Sequence, residues 1–166
     1  ATGNPLAITM SMRHAGRELP LERFALRARL RDAAGPRPLV LLHGLCMNDL
    51  QWQREGHDHG AALAREAGFT PVYLHYNSGL SVSTNGRILA QQMERLFDAW
   101  PVPIERLALL GHSMGGLVAR SALHHAALIA RGGLRWPARV TELVCLGTPH
   151  LGALLESLGN MVDDVL

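Results

Sequence analysis

The sequence contains no lysine; all 16 of its basic residues are arginine, which reads as the codon usage of a GC-rich genome. Set against 14 acidic residues they leave a formal net charge of +2. So balanced a chain offers no argument for a nucleic-acid-binding surface. It also lacks any apolar run approaching the roughly 18 residues that a membrane span needs. Cysteine is scarce. Cys46 and Cys145 are too few for a disulfide framework and read as free thiols, leaning towards a reducing, cytoplasmic compartment. Secretion stays open, because the chain starts Ala1-Thr2-Gly3-Asn4-Pro5 without a methionine and its front end reads as trimmed. Internal repeats, low-complexity tracts and linkers are missing too.

What remains is an ordinary globular composition, 48% apolar and 18% charged over 166 residues. That length supports one core and not comfortably two. We expect a single domain over 1–166, with N-terminal edge strands in 1–36 and the core in 37–166. Seven arginines fall in residues 1–40 against Glu18, Glu22 and Asp32, a mildly basic opening that reads as a solvated face.

From residue 37 onwards strands and helices alternate, the pattern of a mostly parallel sheet with helices on both faces. Phe24–Leu30 partly alternates and predicts an edge strand. Leu39–Leu42 and Leu107–Leu110 read as buried strands, and Pro71–His75 and Val140–Leu146 as further strands. Helices are predicted over Ala61–Ala67, stopped by Gly68, over about Ser83–Trp100, and over about Met114–Arg131. In the last, Met114, Leu117, Val118, Ser121 and Leu128 form one stripe, read as core packing. A final helix is expected from about Leu151.

The strongest chemical signal is Gly111-His112-Ser113-Met114-Gly115, a G-x-S-x-G with a strand before it and a helix after it. A sharp strand-to-helix turn lifts the serine hydroxyl off the end of the sheet, at a helix N-terminus that favours developing negative charge. Glycines flank it because a Cβ would collide across the turn. A second signal is the strand ending in His43-Gly44-Leu45-Cys46. Acyl transfer needs donors where the oxyanion forms, and the backbone N–H groups of Leu45 and Met114 are the candidates.

Together with Leu146-Gly-Thr-Pro-His-Leu-Gly152 and Leu74-His-Tyr-Asn-Ser-Gly-Leu80, these motifs resemble the α/β-hydrolase superfamily. The subgroup is the bacterial lipases and esterases with a GPI inositol-deacylase-like domain, and the resemblance covers about residues 37–155. It implies the α/β-hydrolase fold, Ser113 as nucleophile, a small-molecule or lipid carboxylic ester as substrate, an acyl-enzyme, and no cofactor. His43, Gly44, Cys46, His112, Trp52 and His150 are then the candidate substrate-side residues.

The sequence departs from that family in one respect. The fold orders its triad as serine, carboxylate, histidine. After Ser113 the carboxylates are Glu142, Glu156, Asp163 and Asp164, and the histidines His124, His125 and His150; none stands where the family puts its base. His124 and His125 lie on the elbow's own helix, roughly 16 Å along it, out of reach. His125 reads as a packed core residue and His112 as packing beneath the helix. His150 reads as a loop-ordering residue, with pocket-lining or surrogate-base roles as alternatives. We expect a fragment whose later strands carry the acid and base. A sheet cut after Val140–Leu146 exposes an unpaired edge, so the isolated chain is expected to associate.

The remaining candidates have plainer readings. His57-Asp58-His59 supplies too few ligands for a metal site and reads as a loop in which Asp58 caps a helix. Cys46 is expected to be a buried small side chain, with a reactive thiol as the alternative, and Cys145 to be core. Trp52 and Leu50 either line an acyl pocket or cover the core. Asn77 and Ser78 are plausible rim residues, since open α/β sheets bind ligands at their carboxyl ends. Three functions fit: a serine ester hydrolase, an acyltransferase or thioesterase using the same serine, and a catalytically silent binding module.

Overall fold

The structure is a computed structural model that describes residues 8–129 and 133–151. Its frame is a six-stranded sheet in the order β2-β1-β6-β3-β7-β8. The strands are β1 (Ser11–His14), β2 (Arg17–Glu18), β3 (Pro38–Leu42), β6 (Thr70–His75), β7 (Leu107–His112) and β8 (Val140–Leu146). A separate two-stranded hairpin joins β4 (Gln53–Arg54) to β5 (His57–Asp58). β6, β3, β7 and β8 run parallel, while β1 pairs antiparallel with β6 and β2 antiparallel with β1. This is the mostly parallel, helix-covered sheet that the sequence predicts.

The alternation of side chains along each strand sends two sets of residues to opposite faces. Val40, Leu42, Val72, Leu74, Leu107 and Leu109 form one face of the core. They pack against α1 (Arg23–Leu30), α3 (Val82–Ala99) and α4 (Met114–Ile129) through Leu26, Leu89, Met93 and Val118. Leu39, Leu41, Tyr73, Ala108 and Leu110 face the other way, where Trp52 and Leu63 of α2 (His59–Ala67) cover them. Each fully buried leucine contributes about 2 kcal/mol. α2 begins where the Asp58 carboxylate accepts from Ala61 N at 2.9 Å and ends at Gly68, whose φ of 69° is the left-handed cap. α3 and α4 cross where Gly86 lies against Ser121; a Cβ at Gly86 would overlap that side chain.

Several expectations need correction. Phe24–Leu30 is not an edge strand but lies in α1. Its apolar residues alternate, but Leu26 and Leu30 are also one helical turn apart, and both are buried while Phe24 points to solvent. Leu128 is exposed rather than part of the packed stripe. Cys145 is half-buried, not core, since β8 is the last strand of the sheet and nothing among the described residues covers its outer side. Val144 and Leu146 are exposed on the same strand. The helix expected from Leu151 lies outside the described residues.

Candidate active site

β7 ends at His112 and α4 begins at Met114, so Ser113 alone makes the turn from strand to helix. Its φ is 51°, in the left-handed region that a residue with a Cβ avoids. The turn is held by Ser113 N donating to Leu146 O at 2.8 Å and by Gly116 N donating to Ser113 O at 3.1 Å. The glycines around it are sites of close approach. A Cβ at Gly111 would overlap the Gly116 backbone, one at Gly115 would overlap the carbonyl of Leu42, and one at Gly116 would overlap the side chain of Thr148.

β3 delivers the second loop to the same place. A Cβ added at Gly44 would lie 3.3 Å from the Cβ of Ser113 and 3.1 Å from His112 Nδ1, so only a glycine lets the two loops meet this closely. Three contacts fix this loop. His43 Nδ1 donates to Gly44 O at 2.9 Å, the Gln51 side-chain carbonyl accepts from Gly44 N at 3.0 Å, and Ser78 Oγ accepts from Cys46 N at 3.0 Å. Because the peptide is trans, turning the Gly44 carbonyl towards His43 turns the Leu45 N–H the opposite way. Among the described residues neither Leu45 N nor Met114 N donates to another protein group. Both N–H groups belong to the loops that meet at Ser113.

His43 is fully buried, stacked on Tyr76 with ring centroids 4.1 Å apart. Burial holds its pKa below the usual histidine value, partly offset by the hydrogen bond to Gly44. Tyr76 N points at His43 Nε2, 3.4 Å away, so the ring is neutral with its proton on Nδ1. Tyr76 Oη donates to His43 O at 2.6 Å, and burial pushes its own pKa up, so it remains a donor. His43 is therefore no substrate contact: the stacked tyrosine and the sheet shut it off from solvent.

The other expected substrate-side residues divide. Cys46 is exposed rather than buried, in a loop where its own φ is 57°. Trp52 lies in the core against Leu39 and Leu41, 3% exposed, and not on a pocket wall, while Leu50 is exposed. His112 is half-buried and polar in role rather than mere packing, with Nδ1 2.6 Å from Gln51 Nε2. His150 is exposed; its Nδ1 accepts from Arg120 Nη1 at 2.7 Å and its backbone N donates to Thr148 O. It borders a cavity of about 500 Å³ lined also by Val82, Leu117, Arg120, Ser121 and His124, beside the first turns of α4. Cavities of about 620 and 520 Å³ lie on the α2 side of the sheet, and neither is lined by the Ser113 or Gly44 loops. Among the described residues no group of three or more possible ligands could hold a metal, and Asp58 serves as the cap of α2.

Sequence reading missed the polar layer beneath the Gly44 loop. Register pairs Leu42 with both Leu74 and Gly111, so His43, His75 and His112 follow side by side on adjacent strands. The short 3-10 turn Asp49–Trp52 folds over them. Buried Asp49 accepts from His75 Nδ1 at 2.8 Å and pairs with Arg13 at 3.4 Å. An Asp–His pair is the usual companion of a serine nucleophile, but β3 stands between β6 and β7. Two strand spacings put His75 about 10 Å from β7, with its Nδ1 taken. Among the described residues no histidine hydrogen-bonds the Ser113 hydroxyl. Glu142 pairs with Arg106, and the other late carboxylates lie outside the described residues.

The comparisons agree with this geometry. The family described as the PGAP1-like alpha/beta domain matches residues 33–163. The chain belongs to that family. Among solved structures it is similar to the Bacillus licheniformis lipase BlEst2 in its mature form. The two are 28% identical with a TM-score of 0.58, over 78% of this chain and 47% of the lipase. The propeptide form of the same lipase aligns over 91% of this chain and 28% of its own, at 23% identity and a TM-score of 0.58, a likeness of fold. No curated protein matches the chain. The chain thus spans about half of the mature lipase. The PGAP1-like domain has an α/β-hydrolase, lipase/esterase-like architecture, and among its described residues no helix is long and apolar enough to cross a membrane.

Proposed function

We propose that this PGAP1-like domain carries the nucleophile and oxyanion hole of a serine carboxylic-ester hydrolase. One observation carries the reading: Ser113, at a φ of 51° between β7 and α4, meets the Gly44 loop with Cβ positions 3.3 Å apart. Ser113 Oγ attacks the ester carbonyl carbon while its proton passes to a histidine supplied from outside the described residues. The tetrahedral oxyanion lies on the N–H groups of Leu45 and Met114. The carbon–oxygen bond to the alcohol then breaks, the alcohol leaves with the proton, and water hydrolyses the resulting acyl-enzyme. The exposed apolar side chains of Leu45, Met47 and Leu50 beside this centre suit an ester with an apolar acyl part.

The test is labelling of the intact protein with a fluorophosphonate, alongside turnover of p-nitrophenyl butyrate. The wild type is expected to label and turn over, and Ser113→Ala to do neither. Equal labelling of both sinks the proposal. A second reading is a silent binding module, favoured by the lack of a histidine partner for Ser113 among the described residues; it predicts no labelling of the intact wild type. Product analysis with a competing alcohol or a thioester separates hydrolase from acyltransferase and thioesterase.

A further inference from the structure

We infer that Gln51 is a positioning residue that sets the spacing between the two halves of the oxyanion hole; the inference rests on the esterase reading above. Its carboxamide does two things at once. Oε1 accepts from Gly44 N at 3.0 Å, and Nε2 donates to His112 Nδ1 at 2.6 Å. Gly44 precedes Leu45, and His112 precedes Ser113 and Met114. One side chain therefore joins the loop carrying one proposed donor to the loop carrying the nucleophile and the other donor.

The chemistry of this position is narrow. It needs an acceptor facing an N–H and a donor facing an imidazole nitrogen, on a single planar group. Glutamate lacks the donor and asparagine is one methylene too short. The same two partners fix which end of the amide is oxygen, since a flipped carboxamide would aim its NH₂ at the Gly44 N–H. They also assign the His112 ring proton to Nε2.

The mount is rigid. Gln51 lies on the 3-10 turn Asp49–Trp52, which Asn48 caps by accepting from Leu50 N at 2.9 Å. Asp49 ties that turn to His75 at the end of β6 and to Arg13 of β1, and Trp52 roots it in the core. The carboxamide thus reaches the site from a turn anchored at three points, none of them on the two loops it joins. A device of this kind acts on the transition state, where donor placement counts to a fraction of an ångström, and leaves ground-state binding alone.

The experiment uses the intact protein as wild type, Gln51→Met, which keeps the length without the hydrogen bonds, and Gln51→Asn, which keeps the amide without the reach. Turnover of p-nitrophenyl butyrate and inhibition by an alkylboronic acid, whose tetrahedral adduct on Ser113 carries the negative charge, are read together with Tm. We expect each variant to lose about 30-fold in kcat, with KM within about two-fold. Boronate inhibition should weaken by about the same factor as kcat, and Tm should stay within a few degrees. If Gln51→Met does not fold, Gln51→Asn carries the test. Turnover within two-fold of wild type overturns the inference, as does a loss of kcat that leaves boronate inhibition unchanged. A wild type whose Ser113 does not react overturns the esterase reading and this inference with it; a reactive wild type matched by its variants overturns this inference alone.

Discussion

The Cβ that Gly44 lacks would stand 3.3 Å from the Cβ of Ser113, 69 residues further along the chain. Such an approach is tighter than most Cβ contacts, so alanine at Gly44 forces its neighbours aside by a few tenths of an ångström. Gly44→Ala is expected to lower kcat for a short-chain ester about ten-fold or more, with a stability cost near 1 kcal/mol. Paired kinetics and urea unfolding check this; unchanged kcat would mean that the loop spacing is not critical.

The backbone at Ser113 makes a separate statement about stability. A residue with a Cβ at φ 51° costs about 1 kcal/mol that glycine does not. Ser113→Gly should therefore be more stable than Ser113→Ala by about 1 kcal/mol, seen as roughly 2–4 °C in Tm, although both lack the hydroxyl. Equal stabilities would show that the turn is not strained.

Gly116 and Thr148 should couple. A Cβ at Gly116 overlaps the Thr148 side chain, so Gly116→Ala is expected to cost about 2 kcal/mol. Thr148→Gly removes the obstacle and should recover about half of that in the double variant. A double-mutant cycle with no interaction energy would place the cost elsewhere.

His43 predicts a pH dependence. Its folded pKa lies below the ordinary 6.5, because burial penalises the charged ring. Above that value both states are neutral there and the residue contributes no slope. Below it the unfolded chain takes up a proton that the folded chain refuses, so stability falls as pH drops from 6.5 towards the folded pKa. Proton uptake on unfolding should fall by up to one in His43→Gln over that window. An unchanged slope would mean that His43 is accessible in the folded state.

Asp49 should matter for stability through its two partners, His75 and Arg13. Asp49→Ala leaves partly buried donors on His75 and Arg13 without their acceptor and is expected to cost about 2 kcal/mol, and Asp49→Asn about half as much. Urea unfolding of both variants decides it. A cost under about 0.5 kcal/mol for the alanine variant would show that the turn holds by packing alone.

Much of this was legible before any coordinates. The run of apolar residues in Leu39–Leu42 and Leu107–Leu110 marks central strands, since strands buried on both faces need no polar side. Ser113 was legible because its strand, glycines and helix are neighbours in sequence, and local sterics alone demand that pattern around a strained turn. Segment 24–30 was not. Its apolar residues satisfy both a period of two and an i, i+4 pair, and only docking on α3 chooses between them. The fate of Trp52 turned on which side of the sheet its turn lies. Gln51 and Asp49 carry no local signal at all, and Tyr76 none for its place against His43. Their partners lie 61, 26 and 33 residues away, and a polar side chain reads alike whether it meets water or another loop. The chain by itself determined where the strained strand-to-helix turn at Ser113 stands, because that is a matter of neighbouring residues; what holds its surroundings in place was decided only when parallel strands brought His43, His75 and His112 into one row.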